Sequence, residues 1–360
     1  MSLRDLRRQI GQLAIVGFPG HDVPGDLKKL AATFDLGGVI YFARNIAEPS
    51  QVRDLSREVA SLAHEWPLWI SVDQEGGRVA RLRRPFTEWP PMNTLGRSGD
   101  LALARAFAGA LAAELRAVGI NLDYTPVLDI HTNAANPVIG DRAFGTDAQT
   151  VADFGAALIA QLHEAGVVAC GKHFPGHGDT STDSHLELPL VEHPPDRLYA
   201  VEYLPFRAGI AAGLATIMTA HVLVPAIDPD LPATLSRAIV HDVLKITLGF
   251  DGLVISDDLG MKAVAASWPL PEAMVAALQA GCDNVLLCNS TQDEQVAALE
   301  AVIHALEDGT LPQGRVEDAL ARQWRVKTRF AHLLQAPPSL LAEVGSEAHQ
   351  RIANQMAAWL

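Results

Sequence analysis

A chain of 360 residues, 49% hydrophobic and 19% charged, has the composition of a soluble globular protein and length enough for one large α/β domain or two ordinary ones. Its formal charge of −14 and isoelectric point near 5.3 argue against a nucleic-acid or anionic-membrane surface and say little about a neutral substrate. No run reaches the roughly 18 apolar residues of a membrane span.

The N-terminal apolar run at 13–18 is short and lacks a signal-peptide cleavage site. Cys170, Cys282 and Cys288 sit in or beside apolar segments, as buried thiols of a reducing compartment do. A cytoplasmic location is expected. Apolar segments then alternate along the chain. The run 14–18 precedes helical spacing at 26–34, and 38–42 precedes a 3.6-period pattern over 50–65 that places Ser50 as N-cap. After the strand 68–72 and a proline-rich loop at 85–91 come a helix over 100–118, an extended segment at 121–130, a helix over 150–165 and a strand at 167–170. The remaining pairs are a helix over 196–212 with a strand at 216–224, a helix capped by Ser236 with a strand at 252–256, and a helix over 271–280 with a strand at 284–288, before a last helix at 293–306.

Eight continuous apolar strands separated by helices imply parallel strands buried on both faces. They fit a closed (β/α)₈ barrel of the TIM type. No GxGxxG follows the first strand, which weakens the competing doubly wound sheet. One domain over 1–360 is expected, with residues from about 314 forming a helical C-terminal extension.

A barrel builds its active site from the C-terminal strand ends and the loops beyond them. Those positions carry Asp73, Glu75, Arg78 and Arg81; Asp129, Asp141 and Arg142; Lys172 and His173; His221; and Asp257 with Asp258. Singly, each has a plain structural reading: an aspartate after a strand is often a helix cap, and His221 alone reads as a hydrogen-bonded core histidine. Their concurrence at one rim points to a site.

The densest stretch, KHFPGHGDTSTDSHLELP at 172–189, admits three readings. His173, His177, Asp179, Asp183 and His185 are all plausible metal ligands, although Pro175, Gly176 and Gly178 make a ligand-bearing helix unlikely there. Asp183, two residues before His185, could instead orient that imidazole for acid–base work. A structural loop with mutually bonded polar groups is the third.

That stretch, with DQEGGRVARL at 73–82, TAHVLVPAIDPDLPATLS at 219–236 and VISDDLGM at 254–261, resembles glycoside hydrolase family 3, in particular its bacterial β-N-acetylhexosaminidase branch. The motifs fall in the family's order between about residues 10 and 290. The resemblance implies a (β/α)₈ barrel that hydrolyses terminal β-linked N-acetylglucosamine with retention. It matches Asp257 to the nucleophile, His185 to the general acid/base and Asp183 to its dyad partner. It matches Asp73, Arg81, Arg142, Lys172 and His173 to the sugar-holding positions.

Retaining hydrolysis normally uses two carboxyl groups. The resemblance replaces one of them with histidine, and the adjacent Asp183 charge should raise its affinity for the proton it donates. A neutral imidazole base also does not repel an anion, so phosphate is chemically admissible as acceptor beside water. His177 and Asp179 are then read as loop-shaping groups. Gly260 stands where serine is common in that branch, and the loop 85–99 matches loosely, which leaves the leaving-group side open.

The expectation is an exo-β-N-acetylglucosaminidase with no metal and no organic cofactor. Its partner is a carbohydrate, GlcNAc glycosides and by implication muropeptide fragments of cell-wall turnover, with no nucleic acid and no membrane. The competing readings are a metal-dependent barrel hydrolase using the His/Asp cluster, a family 3 enzyme acting on another β-glycoside, and a non-catalytic sugar-binding protein.

Overall fold

A computed structural model describes residues 3–184, 187–331 and 341–360. Among them eight parallel strands close into a barrel: β1 (Ala14–Val16), β2 (Gly38–Tyr41), β3 (Trp69–Val72), β4 (Leu122–Asp123), β5 (Val168–Phe174), β6 (Thr216–Thr219), and, after a small hairpin of β7 (Leu223–Val224) and β8 (Asp228–Pro232), β9 (Leu253–Asp258) and β10 (Asn284–Leu287). Each strand pairs with its chain neighbours and β10 returns to β1, so the expected (β/α)₈ fold is present.

Two apolar layers hold it. Inside, Ile15, Ile40, Trp69, Leu122, Val168 and Ile255 fill the barrel. Outside, the alternate residues of the same strands, such as Val16, Val39, Ile70 and Val254, meet the surrounding helices.

The N-terminal mouth is closed by helix Gln313–Arg329. Val326 and Phe330 join the interior cluster, and Gln323 accepts from Trp69 Nε1 at 3.3 Å. Lys327, buried beside them, donates to Gln12 Oε1 at 2.9 Å and to the Gly37 carbonyl at 3.0 Å. Helix Glu347–Ala357 is tied on through Glu114, which accepts from His349 Nδ1 at 2.8 Å, from Gly345 N at 3.0 Å and from the Thr87 hydroxyl at 2.6 Å. Among the described residues no helix is long and apolar enough to cross a membrane.

Local expectations need four corrections. Ser50 is not the N-cap. Its helix runs Pro49–Ala60, because proline suits the first helical position, and Ser50 donates instead to Glu48 Oε1 at 2.6 Å. The segment 121–130 contributes only Leu122–Asp123 to β4, with one further bridge at Val127, since Pro126 has no N–H for the ladder. The strand expected over 216–224 stops at Thr219, and Leu223–Val224 turns into the hairpin. Finally, β5 extends to Phe174, so Lys172 and His173 lie within a strand.

Candidate active site

Strand parity gathers the polar side chains. In β3 Trp69 faces the barrel interior and Ile70 and Val72 face outward, so Ser71, bonded to Tyr124, and then Asp73 fall on the inner face. In β5 Val168 and Cys170 are interior and Lys172 follows in step; in β9 Leu253 and Ile255 do the same for Asp257. These inward residues line a cavity of about 440 Å³ at the C-terminal mouth, together with Arg81, Arg142 and Asp183.

A charged network floors that cavity. Lys172 Nζ lies 2.7 Å from Asp73 Oδ1 and 2.6 Å from Glu75 Oε1. Arg142 holds Glu75 in a two-pronged contact, Nε to Oε2 and Nη2 to Oε1, both at 2.8 Å. Arg81 Nη2 stands 3.5 Å from Asp73 Oδ2. Burial opposes ionisation of Glu75, but Arg142 and Lys172 outweigh it and hold its carboxyl well below the usual range. Burial likewise opposes the Lys172 charge, and Asp73 with Glu75 outweighs it, raising the ammonium above its ordinary value. Such pairs lose much hydration, so their contribution is a fixed geometry more than stability.

The network still has binding capacity. Lys172 has three donors and uses two on these carboxylates, and Asp73, partly exposed, has lone pairs left on the cavity side. A small pocket with convergent donors and acceptors suits the hydroxyls of one sugar ring.

His173 is held from behind. Asp129, fully buried, takes its Nδ1 at 2.7 Å and its backbone N–H at 3.2 Å, and the His177 N–H at 2.6 Å. Burial opposes the charge of Asp129, and the two histidines outweigh it, keeping the carboxyl below its usual range. His177 Nδ1 lies 2.7 Å from Thr180 Oγ1 and its Nε2 3.1 Å from Ser184 Oγ; burial lowers this imidazole to about 4. Asp179 accepts from Thr132 at 2.7 Å and meets His193 Nε2 at 2.6 Å. Among the described residues no group of three or more His, Cys, Asp or Glu is arranged to hold a metal ion.

Asp183 is half-buried on the cavity wall. The residue after it, Ser184, bonds to His177 and accepts at its carbonyl from Ala263 N at 3.3 Å, which ties this loop to the segment that follows Asp257. His185 lies outside the described residues. Asp257 is half-buried and accepts from Asp258 N at 2.8 Å. Asp258 is turned to the backbone, accepting from Cys288 N at 3.0 Å, Gly260 N at 3.2 Å and Asn289 Nδ2 at 3.2 Å. Buried His221 bonds Thr234 Oγ1 and the Asp258 carbonyl, as a core histidine does.

The glycosyl hydrolase family 3 N-terminal domain model matches residues 5–326. The chain belongs to glycosyl hydrolase family 3. It is 43% identical over 288 residues to a β-hexosaminidase of Nitrosomonas eutropha, covering 78% of this chain and 82% of that one. A family 3 β-N-acetylglucosaminidase structure from Paenibacillus superposes with a TM-score of 0.93 at 40% identity, over 98% of this chain and 68% of that one. A β-N-acetylhexosaminidase structure from Beutenbergia cavernae gives 0.83 at 32% identity, over 90% of this chain and 98% of that one. The protein is a glycoside hydrolase.

In this family 3 hydrolase, the residues expected from sequence that are described, Asp73, Arg81, Arg142, Lys172, His173, Asp183 and Asp257, line one cavity. Glu75 and Asp129, placed at the strand ends by the sequence but given no sugar-holding role by the resemblance, hold three of these residues. Glu75 stood in the quoted DQEGG motif, two residues beyond Asp73 on the same parity. Asp129 carried no signal beyond its place near a strand end.

Proposed function

We propose that this chain is a retaining exo-β-N-acetylglucosaminidase. The reading is carried by one juxtaposition: Asp257, from β9, faces the same cavity as Asp183 and the Asp73–Lys172–Glu75–Arg142 network. The names of the similar family 3 proteins supply the N-acetylglucosamine preference.

Terminal β-linked N-acetylglucosamine binds with its hydroxyls on Asp73, Lys172, Arg81, Arg142 and His173. Asp257 attacks the anomeric carbon and forms a glycosyl-aspartate, while His185, paired with Asp183, protonates the leaving oxygen. The neutral imidazole then takes a proton from water, which releases the sugar with its configuration retained. No metal or organic cofactor takes part. Muropeptide fragments of cell-wall turnover are the physiological substrates and the cytoplasm the site of action. Residues 1–360 form one catalytic domain, with the helices from about 314 serving as barrel support.

Turnover of 4-nitrophenyl N-acetyl-β-D-glucosaminide, with little on the corresponding glucoside and xyloside, supports this reading. Preference for the glucoside would move the protein to another branch of the family. Activity abolished by prolonged chelation and restored by metal would favour a metal-dependent hydrolase.

A further inference from the structure

The cations assigned to the sugar are held unequally. Lys172 reaches Asp73 at 2.7 Å and Glu75 at 2.6 Å, and Arg142 reaches Glu75 twice at 2.8 Å, all normal charge-assisted hydrogen bonds. Arg81 approaches Asp73 only at 3.5 Å, its single ion pair among the described residues. Its Nε is buried and has no hydrogen-bond partner among them. The Arg81 main-chain N–H is fixed, donating to Gln74 Oε1 at 2.8 Å, but that bond leaves the side-chain torsions unset. Polar contacts alone do not fix this guanidinium.

An aromatic ring supplies a further hold. The Arg81 guanidinium lies over Phe42, 5.4 Å from the ring centre, within the range where a ring face attracts a cation. Phe42 follows β2 in inward step with Ile40, packs on the barrel's interior cluster and lines the cavity. Its backbone is tied twice to Asn45. The Phe42 N–H donates to Asn45 Oδ1 at 2.9 Å, and its carbonyl accepts from Asn45 N at 2.8 Å. Asn45, fully buried, donates in turn to the Phe18 carbonyl at 3.0 Å and the Gly20 carbonyl at 2.9 Å.

A second guanidinium, that of Arg44, lies 4.6 Å from the same ring centre. Arg44 is itself anchored, donating to the Phe18 and Cys288 carbonyls and to Asn289 Oδ1. The ring is therefore a fixed surface on which the looser Arg81 rests. A ring face attracts a guanidinium without accepting the N–H groups at its edge, whereas a close carboxylate would occupy them. That suits an arginine whose donors are meant for a ligand.

We propose that Phe42 is a positioning residue that holds the Arg81 guanidinium at the angle from which it meets the sugar. This rests on the sugar-holding role given to Arg81 above and adds a residue to which the family resemblance assigns no part. Phe42 acts through Arg81 and takes no part in bond cleavage.

The test is a double-mutant cycle on 4-nitrophenyl N-acetyl-β-D-glucosaminide. Phe42→Leu should lower kcat/KM about fivefold, chiefly through KM, the scale of one partly desolvated cation–π contact. Phe42→Tyr, which keeps the ring, should stay within about twofold of the wild type. In the Arg81→Ala background Phe42→Leu should cost nothing further, because the group it positions is gone. An equal loss from Phe42→Leu in both backgrounds would mean that the ring serves the fold or touches the sugar itself, and would overturn the proposal. An undiminished kcat/KM in Phe42→Leu, or a loss in Phe42→Tyr equal to that in Phe42→Leu, would overturn it too. If the wild type leaves the N-acetylglucosaminide intact and cleaves another β-glycoside, the substrate reading falls, and the same cycle on that glycoside decides the role of Phe42.

Discussion

Lys172, on β5, donates to Glu75, on the loop after β3, at 2.6 Å, and both side chains are almost wholly buried. The contact joins two barrel strands that are not neighbours, with β4 between them. Through Arg142 it also reaches the loop that follows β4. Two loops and the end of β5 are thus fixed relative to each other at one mouth by a single carboxylate. Asp73, which shares the same ammonium, inherits that fixed position.

Replacing Glu75 by Gln keeps the shape and removes the charge that two buried cations require. Removing one partner of a buried pair costs roughly 3 kcal/mol or more. A displaced Lys172 should lower kcat/KM on the order of a hundredfold, the scale of a misplaced positioning group. Kinetics on the nitrophenyl glycoside and denaturant melts at neutral pH check both effects.

The same carboxylate makes a pH prediction. Its folded-state affinity for a proton lies below that of the unfolded chain, because Arg142 and Lys172 outweigh the burial penalty. The unfolded state therefore binds more protons in acid. The stabilisation is complete above the unfolded value of about 4.3 and is lost as pH falls below it. The stability gap between wild type and Glu75→Gln should narrow from pH 5 downward in melts across that range.

Lys327, at the other end of the barrel, carries a charge that its site penalises, where the site of Glu75 stabilises one. Burial lowers its ammonium to about 7, and its hydrogen-bond acceptors are the neutral Gln12 amide and Gly37 carbonyl. Between that value and the unfolded value of about 10.4 the unfolded chain binds more protons, so wild-type stability rises with pH. Relative to Lys327→Met, the wild type should gain stability steadily from pH 7 to 10 and show little relative change from pH 5 to 6.5. A flat difference across the alkaline range would show that the ammonium is not penalised by its site.

His185→Ala should separate substrates by leaving group. Nitrophenolate departs with little protonation, so its release should fall modestly, while a disaccharide should lose on the order of a hundredfold or more. Equal losses on both, measured as kcat/KM, would remove the histidine from the acid role.

Much of this was legible in the sequence because barrel strands leave a simple trace. Continuous apolar runs separated by helical periods indicated eight strands, and Asp73, Lys172 and Asp257 each follow interior residues in steps of two. Glu75 was placed at the rim but given no role, because its part is to hold other side chains and the partners that bury it are remote in sequence. Its burial depends on Arg142, 67 residues away, and on Lys172, 97 residues further along the chain. Asp129 was likewise placed at a strand end without a role: its work is to accept two hydrogen bonds from His173 in β5 and one from His177 in the loop beyond, whose path no periodicity reveals. Strand ends at β4 and β6 were overextended because apolar residues continue past the last ladder bond into Val127 and the β7 hairpin.

The central claim is that Asp257 carries the sugar. Incubation with a 5-fluoro N-acetylglucosaminyl fluoride, which slows breakdown of the glycosyl-enzyme more than its formation, followed by peptide mass spectrometry, tests it most directly. The account predicts one added N-acetyl-5-fluoroglucosaminyl unit on the peptide containing Asp257, absent from Asp257→Ala. A label on another residue, or turnover with no covalent adduct and inverted product, would contradict it.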